Sequence, residues 1–153
     1  MPKRKIEDVI NEKLKGDAQK NALDFVTHLR ANEIALDDSD NYFWNASYKS
    51  KGLCVINIAI YEDHSSLDIF INELPEAWEC GDYPADERTR AIIWANVRPC
   101  DPTCNGKCSP GSSKIIFGKQ FDNLCGSFLG IYDPDAETVD CMTRIIDGLI
   151  NEI

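Results

Sequence analysis

Four cysteines carry the densest potential chemistry in the chain. Cys100, Cys104 and Cys108 are spaced C-x3-C-x3-C, and Cys125 follows at the end of a predicted hairpin. Four thiolates so placed can complete a tetrahedral zinc site. Asn105-Gly106 allows a tight reversal between two of them, because glycine accepts positive φ and asparagine accepts it better than most residues. Lys107 would offset part of the thiolate charge. The spacing departs from the common C-x2-C knuckle, so an iron–sulfur cluster, reduced thiols and a disulfide stand beside structural zinc as readings. Radical-SAM spacing is C-x3-C-x2-C, and this chain is too short for the barrel such enzymes need. A metal here would tie a loop poor in apolar residues to the sheet and offset its ordering entropy.

The remaining reactive side chains have simpler explanations. Cys54 falls on the apolar side of a predicted strand and Cys141 within the last predicted helix, so both read as packing residues. Cys80, beside Gly81, is a candidate reactive thiol or substitute ligand, although no base or cation adjoins it. His28 and His64 lack ligand spacing to any partner and read as solvated surface residues. No nucleophile-elbow sequence is present. Pro110-Gly111-Ser112-Ser113-Lys114 lacks the G-x4-G-K-[ST] arrangement and a following helix. Glu62, Asp63, Asp68, Glu73, Glu76 and Glu79 gather around the central strands, where a solvated acidic rim explains them more simply than acid–base work or cation binding.

A second constellation comes from strand alternation. Phe43, Val55, Tyr61 and Phe70 are predicted to share one sheet face with Asn45, Asn57, Asp68 and Asn72. A buried face should be almost wholly apolar, and an exposed one should carry more Lys, Glu and Thr. A mixed aromatic and amide face suits a small-ligand cleft, with Phe43, Asn45, Asn57, Asp68 and Phe70 as the candidate binding residues. It suits a homodimer interface as well, and a half-exposed face roofed by loops is the plain alternative.

The elements that must position these residues follow from periodicity. Ile6, Val9, Ile10 and Leu14 recur at helical spacing, with Gly16 as a stop. Asp17 is placed to cap a second helix, with a stripe of Ala18, Ala22, Phe25, Val26 and Leu29. Asp37 to Asn41 reads as a loop. Three alternating runs follow, centred on Trp44, Ile56 and Ile69, with turns at Lys51-Gly52 and Asp63 to Ser66, the pattern of an antiparallel meander. Asp86 to Val97 is predicted helical. Pro99 to Gly111 is a cysteine loop. Lys114 to Phe117 and Gln120 to Leu124 form a hairpin around Gly118-Lys119, and Ser127 to Tyr132 is a further strand. Asp133 and Pro134 are placed to open the final helix, whose stripe is Val139, Met142, Ile145, Ile146, Leu149 and Ile150.

The fold class is therefore α+β. A curved antiparallel sheet of two βββα halves is expected, with helices mainly on one face and residues 1–153 forming one domain. A chain of 153 residues buries roughly 70% of its unfolded surface, enough to fold without obligatory staples. The net charge of −10 opposes binding to nucleic acid or anionic lipid, and no apolar run approaches a membrane span. The acidic Glu7-Asp8 start is unlike a signal peptide, so a cytoplasmic, reducing setting is expected.

Gly16-Asp17-Ala18, Asn21 to Phe25, Trp94-Ala95-Asn96-Val97 and the stretch from Cys104 through Cys125 together resemble an uncharacterised family of short cysteine-containing bacterial proteins. The resemblance spans nearly the full length and implies one complete domain; it assigns no activity. The reading is a non-enzymatic small-ligand module braced by zinc. The alternatives are a homodimeric interaction protein and a thiol- or metal-dependent enzyme.

Overall fold

Helix α1 (Ile6–Lys13) and helix α2 (Gly16–Ala31) open the chain. A four-strand meander follows: β1 (Ala35–Asp40), β2 (Phe43–Tyr48), β3 (Lys51–Ile60) and β4 (Ser65–Ile71). Next come the short α3 (Glu76–Glu79), then α4 (Glu87–Ala95), β5 (Val97–Pro99), β6 (Ser112–Ile116), β7 (Lys119–Tyr132) and α5 (Ala136–Asn151). This computed structural model describes residues 4–40, 42–79, 86–100 and 111–153. All the strand pairings are antiparallel, in the order β1-β2-β3-β4-β7-β5, with β6 also on β7, and the sheet does not close.

One face of the sheet is covered. Trp44, Ile56, Ile58, Ile69, Ile71 and Ile131 are buried there. They meet Phe25 and Leu29 of α2 and the stripe Val139, Met142, Ile145, Ile146 and Leu149 of α5, all buried. Period 2 in the strands and period 3.6 in the helices thus present matching apolar surfaces. Burying each such side chain contributes roughly 1.5–3 kcal/mol relative to exposure.

Several expected boundaries are corrected. Asp37 to Asp40 does not open as a loop, since it belongs to Ala35–Asp40, an edge strand paired with β2 with one register shift between Asp38 and Asp40; Asn41 lies outside the described residues. The β2–β3 turn is Lys49-Ser50, both at positive φ (48° and 70°), while Lys51 and Gly52 already lie in β3. Gln120 to Leu124 and Ser127 to Tyr132 are one 14-residue strand. The β6–β7 turn is Phe117-Gly118 at φ 50° and 80°, the primed geometry that matches strand twist. Asp17 lies inside α2, which starts at Gly16 after Lys15. Asp135, not Asp133, caps α5 by accepting the Thr138 N–H at 2.8 Å. His28 is half-buried and bonds Asp147 of α5 at 2.7 Å, so it joins two helices instead of facing solvent alone. Among the described residues no helix is long and apolar enough to cross a membrane.

Candidate functional site

The strand register settles which residues share the opposite face, uncovered in that no described helix lies over it. Phe43 stands opposite Asn57, Asn57 opposite Asp68, and Asp68 opposite Tyr132. The adjacent row is Asn45, Val55, Phe70 and Gly130. Directly opposed residues point the same way, so two rows across four strands make one continuous surface. All five expected binding residues lie on it, and so does Val55; Tyr61, also expected on this face, lies beyond β3, stacked on His64 at 4.7 Å beside Lys13 and Lys15.

The surface is not uniform. Phe43 is 39% exposed and Tyr132 54%, while Asp68 is only 2% exposed. Tyr132 meets Phe70 edge to face at 5.7 Å between ring centroids. Asp68 accepts a hydrogen bond from the Ser66 hydroxyl at 3.0 Å. Burial raises its carboxyl above the ordinary aspartate value, against the lowering effect of that bond.

A hollow of about 240 Å³ opens at the Asn45 row, with Asn45, Val55, Phe70, Asn72 and Ser127 among its walls. Asn45 and Phe70 of the expected set therefore line it. Phe43, Asn57 and Asp68 sit in the neighbouring row. The lining mixes apolar surface with amide groups, as small-ligand sites do.

Sequence reasoning missed Arg98. Its guanidinium lies 4.9 Å from the Phe70 ring centroid, and Nη1 donates to the Ser127 carbonyl at 3.4 Å. The missed Gly130 opposes Phe70 and leaves the space Arg98 crosses. Continuing the alternation through Ser127 to Tyr132 would have put Gly130 and Tyr132 on this face; nothing in Val97-Arg98-Pro99 marks the arginine.

The cysteines divide. Cys54 and Cys141 are buried, and burial pushes their thiols up to about 12 and about 11. Both stay protonated at neutral pH and serve as packing residues. Cys100 directly follows β5, where its N–H donates to the Asn123 carbonyl at 2.6 Å, and Pro99 pairs with Leu124. Cys125 is thus two residues along the neighbouring strand, and both side chains are half-buried. Of the four expected ligands, Cys100 is thus held at the end of β5 beside the stretch of β7 that carries Cys125. Cys104 and Cys108 lie outside the described residues, as does Cys80. Among the described residues no three His, Cys, Asp or Glu side chains converge as a metal would need.

Comparison with models of protein families, with curated proteins and with solved structures gives no match.

Proposed function

We propose that this chain is a non-enzymatic module that binds a small molecule on the uncovered face of its sheet, with zinc held by Cys100, Cys104, Cys108 and Cys125 as a structural brace. The observation that carries the binding reading is the hollow at Asn45, Val55, Phe70 and Asn72, where an apolar floor meets unburied amides. A ligand there gains contact with Phe70 and Val55 and is oriented by the Asn45 and Asn72 side chains. The buried thiols support a non-catalytic reading of Cys54 and Cys141, since a protonated, desolvated sulfur is a poor nucleophile. The zinc reading rests on the approach of β5 to β7 at Cys100 and Cys125. A thiolate pair at the end of β5 and on β7 supplies half of a tetrahedral set.

The test is a fragment screen read by backbone amide NMR. Binders should move signals of residues 45, 55, 70 and 72 together. Binders that move only the outer helical surface would contradict the reading.

A second reading, a homodimer through the same face, is favoured by exposed Phe43 and Tyr132 at opposite ends of one row. Aromatic residues are enriched at interface centres. Concentration-dependent sedimentation separates the two. A dimer that dissociates on Phe43→Ser would support the second.

A further inference from the structure

Arg98 is positioned in three ways at once. Its guanidinium carbon lies over the Phe70 ring, its Nη1 is bonded to the Ser127 carbonyl, and its stem passes over Gly130. Phe70 and Ser127 are both walls of the hollow, so Arg98, itself outside the lining, contacts two of its walls. A Cβ on Gly130 would lie 2.2 Å from Arg98 Cδ and 3.1 Å from Cγ and Nε, so a side chain there would push the arginine off its path.

Four other arginines, Arg4, Arg30, Arg88 and Arg144, hold a carboxylate partner that, among the described residues, Arg98 does not, although the chain carries a net charge of −10. A cation–π contact uses none of the guanidinium's N–H donors. With one donor directed at Ser127, the remaining fork fits a planar carboxylate by two parallel hydrogen bonds.

We infer that the ligand of this face is a small organic carboxylate, its anionic group held by Arg98 and its apolar body laid against Phe70 and Val55. The inference rests on the small-ligand reading above and adds the ligand's chemical class. The volume falls below the roughly 300–1,000 Å³ of drug-sized sites, so the body is about one ring or a short branched chain. The acidic chain repels anions at long range, but that field is screened beyond about 8–10 Å in physiological salt. Contact with Arg98 therefore decides selection.

The experiment titrates the ¹⁵N-labelled full chain with benzoate against benzamide, isobutyrate against isobutyramide, and inorganic phosphate. Each acid should bind at least about tenfold tighter than its amide, the scale of a charge-assisted pair. It should move the signals of Asn45, Phe70 and Ser127 and bind tighter than phosphate. Arg98→Lys keeps the charge and loses the fork; it should weaken the acids about tenfold and leave the amides unchanged. Acid and amide binding equally at those signals would overturn the carboxylate assignment and leave the small-ligand reading standing. Phosphate binding tighter than both acids would overturn it in favour of a tetrahedral anion. Movement of those signals by none of the probes would overturn both the assignment and the hollow as its seat. The acid–amide comparison uses the wild-type chain, so it decides the matter even where Arg98→Lys fails to fold.

Discussion

Arg98 and Gly130 share one volume: the arginine's Cδ lies 2.2 Å from the point a Cβ on Gly130 would occupy. Gly130 is not at positive φ, so alanine would meet only this steric conflict and no backbone strain. Gly130→Ala should destabilise the fold by about 1–2 kcal/mol, the scale of modest overpacking. With Arg98→Ala already present, the same change should cost less, leaving a coupling on the order of 1 kcal/mol in a double-mutant cycle. Urea denaturation of the four proteins measures it. An equal cost in both backgrounds would show that the alanine is accommodated elsewhere.

Asp68 supplies a pH signature of the buried row. Its folded-state carboxyl is raised above 3.8, first by burial, so the native state binds the proton more readily than the unfolded chain. Stability from this group falls as pH rises from 3.8 through the raised value, and is recovered as pH drops back. Glu7, Asp86 and Asp135 are shifted downward, first by their hydrogen bonds to Arg30, Thr89 and Thr138, so their contribution instead fades as pH falls through their lowered values. Those contributions cancel when the Asp68→Asn variant is compared with wild type. The variant's relative stability should rise with pH across the Asp68 window and then level off. A flat difference would mean that Asp68 is solvated.

Legibility in the sequence followed burial. β2, β3 and β4 were readable because one face is apolar and the other is not, and period 2 survives in the sequence. β1 was not, because Leu36, Asp37, Asp38 and Ser39 lie in an edge strand with little buried surface, and acidic edges of this kind resist further pairing. β7 read as two strands because Gly126 interrupts the pattern, yet its halves pair with different partners, β6 along the first and β4 along the second. The candidate face was legible in five residues. Arg98 was not, because its position depends on Gly130, Phe70 and Ser127, which meet it only in three dimensions.

The metal proposal predicts a partial effect. Removing zinc with a chelator should lower the melting temperature and speed amide exchange across residues 99–125, while the helix-covered core stays folded. At this size each kcal/mol of lost stability is about 2–4 °C. Protons compete for thiolate ligands, so the stabilisation should weaken as pH falls. Elemental analysis of chain purified without added zinc sets the stoichiometry. Unchanged melting and exchange after confirmed metal loss would contradict a structural role.

The central claim is that the hollow beside Asn45 seats a ligand. Asn45 is exposed, so Asn45→Trp should fill the hollow without disturbing the covered core, and its melting temperature should stay within a few degrees of wild type, the range expected of a surface change. The decisive measurement is a calorimetric titration of wild type and Asn45→Trp with the tightest binder from the fragment screen. The account predicts saturable one-to-one binding by wild type and a loss of at least about tenfold, 1.4 kcal/mol, in the variant. Equal affinity in two equally stable proteins would contradict it.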